Sequence, residues 1–240
     1  MSTREAMIAR VRQALGRTTA NGPFRSVIFP ELGRVLAPIP PGELIERFET
    51  ELTSVAGTPH RACSAAELQE ILLKALPPAA DGPIVISRNS LLARLGVARM
   101  LEALSYSVTL CSPRREFSSD EREAFRRQCF LAPAGITGVD LALAESGTLV
   151  LSSATEGSQL ASLAPPVHIA LYTRPQVLES LEEVLRQLEA VGSDAHELAG
   201  RSVVFVTGPS RTSDIEQVSI RGVHGPTHVH AILIEDAFIA

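Results

Sequence analysis

The sequence predicts an α/β fold: a mostly parallel sheet flanked by helices, preceded by a helical arm at the N-terminus. Short apolar runs such as Pro83–Ser87 (PIVIS) and Val167–Thr173 (VHIALYT) have the length and near-continuous hydrophobicity of strands buried on both faces. Helical stripes of ten or more residues lie between such runs, which is the spacing a parallel crossover needs. With 240 residues, 45% of them hydrophobic, the chain can bury a large core.

Met7, Ile8, Val11 and Leu15 recur at helical spacing, and Gly16 ends the run. Residues 17–41 carry five prolines and no period, so residues 1–41 read as a helix and irregular arm and residues 42–240 as the main domain. Leu44, Ile45, Phe48 and Leu52 begin the domain with a helical stripe. Ser64-Ala-Ala-Glu67 is a capping box, ahead of a buried face of Leu68, Ile71, Leu72 and Leu76. After PIVIS, one helix is expected through Leu91, Leu92, Leu95, Met100, Leu101 and Leu104, then a strand at Tyr106–Cys111. Ser118 onward (SSDEREAFRRQCF) is a capped helix with acids in its first turn. Past VHIALYT, a helix is expected from Val177 and Leu178 through Leu188. RSVVFVTG and THVHAILIED read as the last strands.

Composition removes several function classes. A net charge of −5 supplies no basic field for nucleic acid, and aromatics at 4% with no Trp offer little for base stacking. No apolar run is long enough to span a bilayer, and the charged N-terminus does not read as a secretory signal, so the chain reads as cytoplasmic. Cys63, Cys111 and Cys129 form no C-x-x-C pair and cannot supply a recognisable iron–sulfur motif. Lys74 is the only lysine and stands four residues after Glu70, an exposed-pair spacing, so neither Schiff-base chemistry nor a Walker A loop is available. Dinucleotide, hydrolase-elbow and zincin motifs are absent.

Two loops carry candidate chemistry. Gly135–Ser153 (GITGVDLALAESGTLVLSS) reads as two strands around a Ser146-Gly147 hairpin turn, with Thr137 and Asp140 before them. Glu145 ends the first strand and Thr148 begins the second. These residues suit a ligand site, and equally a well-formed hairpin with a polar tip. Phe205–Glu216 (FVTGPSRTSDIE) reads as a strand end running into a helix capped by Ser213 or Asp214. Gly208, Ser210, Arg211, Thr212 and Asp214 would then flank a helix N-terminus at a strand's carboxyl end, a seat for phosphate or carboxylate. Capping plus a surface Arg accounts for the same residues. Downstream, His224 and Gly225 lie in a Gly-Val-His-Gly-Pro turn that could present His224 as a proton carrier. His228 and His230 share a strand face, but no carboxylate or cysteine at motif spacing completes a metal site.

The order of GITGVDLALAESGTLVLSS, VTGPSRTSDIE and RGVHGP before an apolar terminal strand resembles the LUD-domain family, of the lactate utilization protein C (LutC/YkgG) type. The resemblance spans roughly Glu43 to Ile234. It implies a fold like NagB, ribose-5-phosphate isomerase (RpiA) and the CoA transferases. It also implies a part in oxidising L-lactate to pyruvate with iron–sulfur partners of LutA and LutB type. No cofactor is expected on this chain, since the clusters would belong to those partners. The chain would bind a small anionic ligand, with Arg211 pairing a carboxylate. Two alternatives stay open: a CoA transferase-like enzyme using Glu145 as nucleophile, and a purely structural assembly subunit.

Overall fold

The computed structural model describes residues 3–14, 37–77, 82–111, 118–191, 202–213, 219–222 and 225–239. The chain divides into two compact units, Met1–Ala37 and Pro38–Ala240. The first contains α1 (Thr3–Ala14), whose Met7 and Val11 are exposed.

The second unit opens with α2 (Leu44–Ser54), β1 (Thr58–Ala62) and α3 (Ala65–Ala75). Ser64 caps α3 by accepting the Glu67 amide, and the Glu67 carboxylate reaches back one residue further than expected, to the Cys63 amide. β2 (Ile84–Ile86) follows, and then the single long helix expected through Leu104 is broken in two. α4 (Ser90–Arg94) and α5 (Val97–Ala103) are separated at Gly96, whose φ of 65° no helix continues. The apolar spacing survives the break, which is why periodicity alone did not show it.

β3 (Val108–Leu110) leads across α6 (Ser119–Leu131) to β4 (Ala134–Thr137). The expected cap on α6 is a full box, Ser118 with Glu121. β5 (Leu141–Leu143) and β6 (Thr148–Ser152) form the expected hairpin, but Leu143 pairs with Thr148, so the connection is four residues, Ala144–Gly147, rather than two. Gly147 supplies a φ of 62°, and its α-carbon abuts the backbone of Leu52, where a Cβ would lie 2.2 Å from the amide nitrogen. α7 (Ser153–Glu156) and α8 (Leu160–Leu163) precede β7 (Val167–Thr173).

Val177 and Leu178 do not begin a helix. They form β8 (Val177–Leu178), which pairs with β5, and α9 (Leu181–Val191) starts three residues later. β9 (Val203–Val206), β10 (Arg211–Ser213), β11 (Ser219–Arg221), β12 (His228–Ile234) and α10 (Asp236–Ile239) complete the chain.

Six strands in the order β1-β12-β7-β4-β2-β3 make a wholly parallel sheet. One face, carrying Ile84, Ile86, Ile136, Ile169 and Ile232, is buried under Leu68 and Leu72 of α3, Leu91 and Leu92 of α4, and Leu101 of α5. On the other face, Ala170, Tyr172, Ala231 and Leu233 pack against Phe48 and Leu52 of α2 and against a second sheet, β8-β5-β6-β9. Val85 on that same side packs with Phe125 and Cys129 of α6 and Ala161 of α8. Strand β9 therefore belongs to the second sheet, antiparallel to β6, and not to the parallel sheet as its sequence suggested.

Candidate functional site

The strand order contains one reversal. From β2 the chain moves outward to β3, then crosses back over β2 to β4 and continues the other way through β7 to β12. The loops after β2 and β4 therefore part at their carboxyl ends and leave a crevice, the place where open α/β sheets take ligands. Ser87, Arg88 and Asn89 follow β2 there, Gly138 and Asp140 follow β4, and Cys111 follows β3.

A buried carboxylate ties the crevice together. Glu156, at the end of α7, is 0% exposed. One of its oxygens, Oε1, accepts from the Asn89 side-chain amide; Oε2 accepts the Ser87 hydroxyl and, at 3.0 Å, the Gly138 amide. Burial pushes the Glu156 carboxyl above its ordinary range and the Asp140 charge adds to this, while the donors from Ser87, Asn89 and Gly138 oppose it. The backbone is knitted at the same point, Arg88 N–H donating to the Glu156 carbonyl and the Arg88 guanidinium to that of Ala154 at 2.8 Å. Gly157 allows this closeness, since a Cβ there would sit 2.8 Å from Cys111 Sγ and 3.2 Å from Arg88 Cδ.

Above this floor is a cavity of about 400 Å³, walled by Ser87, Arg88, Asn89, Arg94, Arg99 and Cys111 together with apolar residues of α4 and α5. Among the described residues its charged lining is entirely cationic. Arg94 and Arg99 are exposed and have no carboxylate partner among the described residues. Three guanidinium groups around a small pocket, with hydroxyl and amide groups at its base, offer the donor chemistry that pairs with small planar anions such as carboxylates.

The residues singled out from sequence fall in three places. Thr137 and Asp140 lie at the carboxyl ends, beside the cavity's floor but bound inward. The Thr137 hydroxyl is 2.8 Å from Nε2 of His168, which is fully buried, and Asp140 accepts the Ser152 amide at 2.6 Å and the Thr155 hydroxyl at 2.9 Å. Glu145, Thr148, Gly208, Ser210 and Gly225 gather on the opposite side, near the strands' amino ends. Thr148 Oγ1 is 2.8 Å from Thr207 Oγ1, Gly208 abuts Val55 just before β1, and the Ser210 amide donates to the Pro226 carbonyl. A Cβ on Gly225 would meet Ser210 Cβ at 3.1 Å. The two loops do approach one another, but not at the carboxyl ends of the sheet. Glu145 accepts the Leu181 amide at 2.7 Å and so caps α9.

Arg211 and Thr212 are in β10, paired antiparallel with Arg221 and Ile220 of β11, and the helical turn expected after them lies outside the described residues. Asp214 and His224 lie outside the described residues. Of the terminal histidines, His228 is exposed and His230 stacks on His60, with Nδ1 to Nε2 at 3.0 Å. Among the described residues no group of three or more His, Cys, Asp or Glu could hold a metal ion, and no helix is long and apolar enough to cross a membrane.

Sequence reasoning passed over Ser87, Arg88, Asn89, Arg94, Arg99 and Glu156. The signal was nonetheless present: three polar residues directly follow PIVIS, the run most clearly a buried parallel strand.

Fold and site together define a doubly wound α/β domain with an arginine-lined cavity at its switch point. Comparison with known proteins gives the family. The LUD domain matches residues 45–234, and the chain belongs to that family, as the order of its motifs indicated. It is similar to lactate utilization protein C of Exiguobacterium sp., 29% identical over 243 residues and covering 98% of this chain and 97% of the relative. It is also similar to lactate utilization protein C of Bacillus subtilis, 30% identical over 65% of this chain and 63% of the relative, and to YkgG of Escherichia coli, 27% identical over 72% and 71%. A crystal structure of a DUF162 family protein from Deinococcus radiodurans matches with a TM-score of 0.55 at 24% identity, over 82% of this chain and 99% of that one, a likeness of fold.

Proposed function

We propose that this chain serves in lactate utilization as a subunit without clusters of its own. It binds a small carboxylate and acts with iron–sulfur proteins of LutA and LutB type in oxidising L-lactate to pyruvate. The observation that carries this reading is the cationic cavity at the switch point, in a chain whose relatives are named lactate utilization protein C. Arg88, Arg94 and Arg99 supply charge for a carboxylate, and the Ser87–Asn89 floor supplies neutral polar contacts for the rest of a short acid. The cavity is larger than a three-carbon acid fills, which leaves room for water or for a group presented by a second chain. Electrons from the acid would leave through the partners.

The reading is tested by reconstituting the chain with partners of those two types and following L-lactate-dependent dye reduction. Activity is expected only with this chain present, and it should fall when Arg94 and Arg99 are both changed to Ala. Full activity without the chain, or no co-purification with either partner, would overturn it.

A further inference from the structure

The floor of the cavity has a hydrogen-bond polarity that the arginines do not impose. Glu156 is ringed by donors: the Asn89 amide on Oε1, and the Ser87 hydroxyl and Gly138 amide on Oε2. Asn89 is fixed in orientation because its Oδ1 accepts the Leu91 amide at 2.9 Å, which leaves its nitrogen facing Glu156. Neither group of Asn89 can therefore be turned round to accept from a ligand without uncapping α4. Ser87 gives its only proton to the carboxylate, so what its oxygen offers the cavity is a lone pair. Among the side chains lining the pocket, the others with polar hydrogens are guanidinium donors, the committed Asn89 and the Cys111 thiol. Among the described side chains lining the cavity, Ser87 Oγ is the oxygen acceptor left over once Asn89 Oδ1 has taken the Leu91 amide.

We propose that Ser87, held as an acceptor by Glu156, makes this cavity select a 2-hydroxy acid over the corresponding 2-oxo acid or unsubstituted acid. The inference rests on the carboxylate-site reading above and adds the substrate's hydroxyl to it. The guanidinium groups bind the carboxylate of all three acids alike. Only the 2-hydroxy acid brings a proton for Ser87; a 2-oxo acid sets a carbonyl lone pair against it, and an unsubstituted acid leaves it unmet. Glu156 is a positioning residue in this arrangement, since it acts on the ligand only through Ser87.

Isothermal titration calorimetry of the full chain with L-lactate, pyruvate and propionate at neutral pH tests this directly, on the wild type, Ser87→Ala and Ser87→Thr. The wild type is expected to prefer L-lactate by about tenfold, the worth of one hydrogen bond. Ser87→Ala should erase that preference while propionate still binds, which also shows the variant is folded, and Ser87→Thr should restore it. Equal binding of the three acids by the wild type, or a preference that survives Ser87→Ala, overturns the inference and leaves the carboxylate site standing. No binding of any of the three overturns the site itself.

Discussion

His168 offers a prediction whose size follows from the structure. It lies on β7, in the middle of the parallel sheet, is 0% exposed, and has the Thr137 hydroxyl at Nε2. Burial, helped by the nearby His230, pushes its pKa from 6.5 down to about 3. In the unfolded chain the imidazole takes up a proton below about pH 6.5, whereas in the folded protein it does so only near pH 3. The folded state's advantage is therefore intact above about pH 6.5 and is lost progressively as pH falls toward 3. At about 1.4 kcal/mol per tenfold change in proton affinity, the loss amounts to about 5 kcal/mol when complete and about 2 kcal/mol by pH 5. His168→Gln keeps a polar group beside Thr137 and removes the titration. Urea unfolding of both proteins at pH 7.5 and pH 5 should show the wild type losing about 2 kcal/mol more than the variant between the two conditions. Other groups titrate in both proteins and cancel in the difference. Equal losses would refute the reasoning, because His168 would then be protonated without cost in the folded state.

Two further outcomes follow from packing and capping. Gly135→Ala would place a Cβ 1.8 Å from the Ala161 carbonyl oxygen, a backbone atom that cannot swing aside, so a loss of about 1–3 kcal/mol or outright misfolding is expected by chemical denaturation; a neutral substitution would show that α8 is not seated on β4. Glu145→Ala should cost about 1 kcal/mol through the uncapped Leu181 amide, and the wild-type protein mixed with an acyl-CoA should show no mass adduct on Glu145. An adduct would favour transferase chemistry over a capping role.

The sequence was most informative where local chemistry and burial agree. Ser118 with Glu121, Ser64 with Glu67, and the apolar runs of β2, β7 and β12 are specified by neighbours a few residues away, and each stands in the structure. Reading failed where two structures share one pattern. Val177 and Leu178 fit the stripe of the helix beyond them, yet pairing with β5 claims them for a strand. Arg211–Ser213 read as part of a loop after β9, yet pairing with β11 claims them for a strand. The site was hidden for a different reason. Glu156 sits in a four-residue helix and meets Ser87 and Asn89 across more than 65 positions of sequence, a convergence that only the reversal in strand order creates.

The central claim is that the cationic cavity beside β2 and β4 receives a small carboxylate. Calorimetric titration of L-lactate into the wild type and into the Arg94→Ala, Arg99→Ala double variant tests it most directly. Saturable one-site binding to the wild type is expected, weakened at least about tenfold in the variant, since each lost charged hydrogen bond is worth about 1.5–3 kcal/mol. Equal affinity in the two proteins, or no binding to either, would contradict it.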